Sequence, residues 1–279
     1  MRKERIFLFV LLLLTCIYSL AQGKSAYMPY GNYIGFGGGY NQTSVNEKLN
    51  TNIPYTGACT GTVVEGIFGT RKNHLHIKNT FSFGNLTPYK SKLLYKNTVK
   101  SYNENFSIAY YWRAYQNQSQ NMFLFVGPLA NALFNIRFNN GELGNSAMSY
   151  ESALSVALAA KAVKYFNLSP TGENGFKRFK AEASVSLPVI SKVFTPNYLG
   201  ISETAVMEKY SLIDWSSNYT GYFLNYFNIE AGLSLTYFLK NRNAIEMGYY
   251  SNYLSTKPEY NPAKTLSSMI VLKLMFNLK

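Results

Sequence analysis

Histidine is the residue type in this sequence best suited to proton transfer near neutral pH, and the chain contains two, His74 and His76. A histidine that acts in hydrolysis needs a serine to activate or a carboxylate to orient it. The only aspartate, Asp214, lies in a distant segment beside Trp215, with no histidine near it. Cys59 and the histidines lie on different segments, without the spacing of metal ligands. The sequence therefore predicts no catalytic residue, no metal site and no cofactor.

A stronger signal for binding is a lysine-rich segment without acidic residues, Leu86–Tyr102, in a chain of net charge +13. Its lysines alternate with tyrosines and are Lys90, Lys92, Lys96 and Lys100. We expect a polar loop here, and such a loop attracts phosphates or acidic polysaccharides in a salt-dependent way. The alternative is a solvated loop, or a loop in contact with lipid headgroups, that binds no specific ligand.

The elements that carry these residues show a period of two. In Ser267–Lys279 every second side chain is apolar, from Ile270 to Leu278, which predicts a strand with one apolar face. The same alternation predicts an all-β chain of about ten strands. They are Gly31–Tyr40, Gly57–Gly69, Leu75–Asn85, Asn103–Tyr115, Met122–Phe138, Tyr150–Phe166, Phe176–Ile190, Asn225–Leu239, Ala244–Leu254 and Ser267–Lys279.

Two segments are less regular. Tyr150–Phe166 is rich in alanine and would also suit a helix, but its neighbours favour a strand. Ser191–Leu224 shows no clear period, and we expect an irregular segment that holds a short helix or a hairpin. Asn41–Thr56 is polar and is predicted to be a loop.

The N-terminus has the features of an export signal. Basic residues precede an apolar core, Ile6–Leu14, which is too short to span a membrane comfortably. Small residues at Ser19–Ala21 predict cleavage after Ala21. We therefore expect a signal peptide at residues 1–21 and a single domain at residues 22–279. The alternative is a loose lipobox, in which Cys16 would become a lipidated N-terminus.

The connections between the predicted strands alternate between long and short. Only 15% of the residues are charged, and aromatic residues reach 16%. With the signal peptide, the alternating strands and the aromatic last strand that ends at Phe276–Lys279, the chain resembles outer-membrane β-barrel proteins of Gram-negative, Bacteroidota-like bacteria. The resemblance implies a single antiparallel up-and-down transmembrane barrel in the cell outer membrane, with short periplasmic turns and long extracellular loops. It also implies that the assembly machinery of the outer membrane binds the last strand.

In such a barrel the apolar faces contact lipid, and the opposite faces line the lumen. A barrel of about ten strands has a narrow lumen, where unpaired charges are costly. We therefore expect the inward charges to pair with one another and plug the lumen. These are Glu65, Lys78, Arg113, Arg137, Lys161, Arg178, Lys180, Glu182, Glu230, Glu246 and Lys273.

The histidines lie beside a predicted periplasmic turn, Arg71–Asn73, which is the wrong end for a surface substrate. We interpret them as turn and interface residues. The expected function is a non-enzymatic outer-membrane barrel, a structural or accessory component of a surface protein complex, in contact with membrane lipids and lipopolysaccharide but not nucleic acid. The alternatives are a narrow porin or transporter for small solutes, and a periplasmic β-sandwich binding protein.

Overall fold

The computed structural model describes ten stretches of the chain. They are residues 31–47, 54–70, 72–89, 98–117, 121–139, 148–167, 178–196, 216–222, 225–257 and 262–278. Within these stretches no helix is long and apolar enough to cross a membrane. The predicted signal peptide, Cys16 and Asp214 lie outside the described residues.

The described residues form strands throughout. Their bounds are β1 Asn32–Glu47, β2 Tyr55–Gly69, β3 Asn73–Pro88, β4 Val99–Asn117, β5 Met122–Asn139, β6 Met148–Phe166, β7 Phe179–Pro196, β8 Ser216–Gly221, β9 Tyr226–Phe238, β10 Ala244–Thr256 and β11 Ala263–Leu278. Every pairing is antiparallel, each long strand pairs with its neighbours in sequence, and β1 pairs with β11. The sheet therefore closes into a barrel of ten wall strands, which confirms the predicted fold and excludes the β-sandwich.

The short strand β8 and the longer β9 together make one wall strand. Both pair with β7, β8 along Ser191–Pro196 and β9 along Phe179–Ser186. A turn separates them, in which the backbone nitrogen of Tyr226 donates to the carbonyl of Tyr222 at 2.8 Å. Part of the segment that we expected to be irregular is thus strand.

A bulge explains why the sequence did not reveal the end of β7, beyond Ile190. The register between β6 and β7 shifts next to Ala157, so that both Val189 and Ile190 of β7 are exposed on the outer face. Two consecutive outward residues break the period of two from which the strand would have been recognised.

Other strands run further than the apolar alternation indicated. β1 continues to Glu47, β4 begins at Val99 and β11 begins at Ala263. The segment Asn41–Thr56, predicted as a loop, therefore contributes to both β1 and β2. Backbone pairing continues above the apolar region, with Asn46 opposite Lys264, because ladder hydrogen bonds do not require apolar side chains.

The outer face of the wall is apolar and the inner face is polar, which is the reverse of a soluble protein. On β11, Leu272 is 59% exposed on the outside, whereas Lys273 is only 1% exposed on the inside. The same contrast holds on β10, where Met247 is exposed and Glu246 is buried. An apolar outer band around a polar interior is the arrangement of a transmembrane barrel.

At the end of the barrel where β1 begins and β11 ends, the connections between strands are mostly short, as at residues 70–72 and 239–243. The connection at residues 167–178 is an exception, since it is longer than the opposite-end connections at residues 48–54 and 140–147. Loop length therefore separates the two ends less sharply than the sequence suggested.

Closure of the barrel depends on close approach between β1 and β11. A Cβ atom on Gly39 would collide with the backbone carbonyl of Ile270 on β11, whereas one on Gly38 would lie 3.8 Å from the nearest atom, the carbonyl oxygen of Gly61. We predict that Gly39→Ala lowers the free energy of unfolding by roughly 1–3 kcal/mol. The measurement is the temperature at which the folded band on a denaturing gel converts to the unfolded band. Gly38→Ala is the matched control. Equal conversion temperatures for the two variants would contradict the close approach of β1 and β11 at Gly39.

Candidate functional site: the charged layer in the lumen

Most of the inward charges lie in one connected group, which we call the charged layer. Its members are Glu65 of β2, His76 and Lys78 of β3, Lys161 of β6, Lys180 and Glu182 of β7, Glu246 of β10 and Lys273 of β11. Each occupies a position where the period of two points the side chain inward.

Strand register places several of these charges beside an opposite charge. Glu246 lies directly opposite Lys273, and Glu65 lies directly opposite Lys78. Between β11 and β2 lies Gly37 of β1, where an added Cβ would collide with the Lys273 side chain. The absence of a side chain at this position lets Lys273 extend over β1 towards β2.

Lys273 is the centre of the layer. Its Nζ lies 2.8 Å from Glu65 Oε1 and 2.6 Å from Glu246 Oε1, and it donates to the Tyr250 hydroxyl at 2.8 Å. The other oxygen of Glu65 lies 3.4 Å from His76 Nε2. One buried ammonium therefore holds two buried carboxylates, which compensates much of the cost of removing all three charges from water.

The layer continues along the wall to β6. Lys180 Nζ lies 3.6 Å from Glu246 Oε2 and 3.2 Å from Glu182 Oε2. Lys161 Nζ lies 3.6 Å from Glu182 Oε1 and 4.4 Å from the ring centroid of Tyr111. Each of these carboxylates thus contacts two lysines, and the ion pairs form a continuous chain from β2 to β6 by way of β11. The contact between His76 and Glu65 extends this chain to β3.

Two further sets of contacts cross the lumen itself. Lys78 of β3 places its Nζ 3.5 Å from the ring centroid of Tyr250 on β10. Glu230 of β9 accepts hydrogen bonds at one oxygen from Asn105 of β4 and from Asn131 of β5. Because these strands are three or four positions apart in the ten-strand wall, the side chains bridge part of the lumen.

Both ends of the lumen also carry side-chain contacts. Near the short connections, His74 stacks against Tyr111 at 5.1 Å and packs edge-on against Phe125 at 4.8 Å. Near the opposite end, Arg137 of β5 donates to Glu151 at 2.9 Å and to Thr265 of β11 at 3.2 Å. These contacts narrow the passage above and below the charged layer.

The space that remains in the lumen is small. One cavity of about 140 Å³ lies towards the long loops, and one of about 80 Å³ lies towards the short connections. Lys180, Glu182 and Glu246 border both cavities, so charged side chains line the lumen where the two cavities adjoin.

The structure brings together most, but not all, of the eleven predicted lumen charges. Arg137 lies outside the charged layer, in its own pair with Glu151, and Glu230 is held by asparagines. Arg113 and Arg178 are half-buried, and their guanidinium groups make no ion pair with other described residues.

Two polar residues inside the lumen were not predicted from the sequence. His76, which we interpreted as a turn or interface residue, contacts Glu65 inside the lumen, and Glu151 pairs with Arg137. The period of two could have predicted the inward position of both residues, because His76 shares its face with Lys78 and Glu151 shares its face with Lys161.

The predicted lysine site lies mostly outside the described residues, which exclude Lys90, Lys92 and Lys96. Lys100 belongs to strand β4 and is exposed, rather than lying in a loop as predicted. Cys59 is a buried free thiol, and the described residues contain no group of ligands placed to hold a metal ion.

No protein-family model and no curated protein matches the chain. Among solved structures, the Pseudomonas putida toluene transporter TodX aligns with a TM-score of 0.34 at 8% identity, covering 92% of this chain and 96% of that one. Neisserial surface protein A gives 0.32 at 10% identity, covering 88% and 98%. An outer membrane channel from Pseudomonas putida F1 gives 0.33 at 10% identity, covering 92% and 100%. Similarity at this level adds nothing to the barrel architecture already described.

The charged layer yields a direct prediction. Lys273→Met leaves Glu65 and Glu246 buried without their shared cation, and we expect the free energy of unfolding to fall by roughly 3–5 kcal/mol. Equilibrium unfolding by guanidinium in detergent measures it. The control is Lys264→Met, an exposed lysine on the same strand, for which the change should stay within about 0.5 kcal/mol. Similar losses in both variants would show that Lys273 does not hold the layer together.

Proposed function

We propose that this chain is an integral outer-membrane protein whose lumen is closed. It is non-enzymatic and acts as a structural or accessory component of a surface assembly, through its loops and outer face. The observation that carries the proposal is the charged layer, in which each buried carboxylate contacts a lysine and whose Lys180, Glu182 and Glu246 line both cavities of the lumen.

Membrane insertion is supported by the exposed apolar band. A closed sheet pairs the backbone groups of the wall with one another, which is the condition for a β-structure in hydrocarbon, although residues 187–190 of β7 have no partner strand on one side among the described residues. Exposed Trp112 and Tyr110 near one end of β4, and Tyr102 near the other, suit the aromatic girdles of the two membrane interfaces. Export by the signal peptide at residues 1–21 belongs to the same proposal.

A closed lumen is supported by the number of side chains that would have to move for a solute to pass. Opening a path would separate Lys78 from Tyr250 and Glu230 from its asparagines, and would break ion pairs of the charged layer. Each separated charge would remain in a narrow space with few replacement partners.

In this proposal, the partners of the surface assembly bind at the end of the barrel that carries the long loops. We propose that the lysine-rich segment, Lys90, Lys92, Lys96 and Lys100, contacts lipopolysaccharide or another acidic component of the surface. The last strand, β11, is the proposed contact for the assembly machinery.

Conductance separates this proposal from the narrow porin. We expect the wild-type protein in planar bilayers to show no steady ion conductance above the empty bilayer. The heat-dependent gel shift of protein recovered from the same membranes verifies that the barrel inserted. A stable open-channel current at low voltage would contradict the closed lumen and favour the porin.

A further inference from the structure

The outer face of the barrel contains a groove that the closed-lumen proposal does not use. Strand register aligns large and small residues in rows around the wall. In one row Phe106 of β4, Ala132 of β5 and Leu154 of β6 are neighbours. The alanine leaves a depression between two large side chains, and Ala130 repeats the pattern in the next row, between Ile108 and Val156.

This groove has a volume of about 600 Å³, and its lining is almost entirely apolar. The flanking Phe106, Leu154 and Val156 are all exposed on the outside of the barrel. A concave strip of this kind in a lipid-facing wall fits a hydrocarbon chain, because filling it buries apolar surface on both partners.

A charged residue lies at the end of the groove towards the long loops. Leu154 is the register partner of Lys192 on β7, and Lys192 is the partner of Thr220 on β8. The bulge in β7 puts Ile190 and Lys192 on the outer face, and the side chain of Lys192 is exposed. A lysine near the membrane surface attracts anionic headgroups, and its long stem lets the ammonium reach the headgroup level.

We propose that this groove is a specific binding site for lipopolysaccharide, in which an acyl chain lies over Ala130 and Ala132 and a phosphate contacts Lys192. The choice of lipid rests on the orientation proposed above, because the lysine end of the groove then faces the outer leaflet. The site is separate from the lumen, so neither the charged layer nor closure of the barrel depends on it.

Native mass spectrometry of the detergent-solubilised full chain tests the site, with lipid A and phosphatidylglycerol as probes. Ala132→Phe fills the groove from the lipid side, and Lys192→Gln removes the charge. We expect each variant to retain lipid A at least fivefold less than wild type, and wild type to prefer lipid A to phosphatidylglycerol.

The matched controls are Ala231→Phe on β9 and Lys264→Gln on β11, both at exposed positions away from the groove. They should retain lipid A as wild type does. The proposal would be overturned if Ala132→Phe retained lipid A as wild type does, or if the controls lost it equally. It would also be overturned if wild type retained phosphatidylglycerol as well as lipid A. Each variant is first required to show the heat-dependent gel shift of a folded barrel. Bilayer conductance of the Ala132→Phe and Lys192→Gln variants tests the closed lumen independently, since neither residue lines the lumen cavities.

Discussion

Closure of the sheet between β1 and β11 is the constraint on which the rest of the structure depends. Once the ten wall strands close, each inward side chain must fit into a narrow lumen and each outward side chain must contact the surroundings of the barrel. The bare face of β1 accommodates this crowding, because Gly37 and Gly39 leave room for β11 and for the Lys273 side chain. The lumen then fills with side chains that bond to one another.

Charge balance follows from the same confinement. The charged layer has four lysines, Lys78, Lys161, Lys180 and Lys273, against three glutamates, and Glu230 nearby provides a fourth carboxylate. Pairing balances the charges of this layer at low dielectric, but it also places strong bonds where a channel would need water. This confinement is the reason for our proposal that the barrel anchors its loops and outer face and does not transport solutes.

Much of the fold could be predicted from the sequence, because a period of two in a half-apolar strand is a strong signal. The strand count, the up-and-down order and the inward positions of Glu65 or Lys273 follow from it. The features that could not be predicted lie where the period of two is interrupted or where the side chains are polar on both faces. The bulge at Val189 concealed the end of β7, and β1 extends through polar residues up to Glu47. Partners across the lumen depend on register over several strands, which local alternation does not specify.

The central claim is that side chains from strands far apart in the wall bond across the lumen, and a double-mutant cycle on Asn105 and Glu230 tests it most directly. Asn105 lies on β4 and Glu230 on β9, so they interact only if the lumen is bridged. Unfolding free energies of Asn105→Ala, Glu230→Ala and the double variant should give a coupling of roughly 1.5–3 kcal/mol, typical of a hydrogen bond to a charged group. Additive effects, with coupling near zero, would contradict a lumen closed by contacts across it.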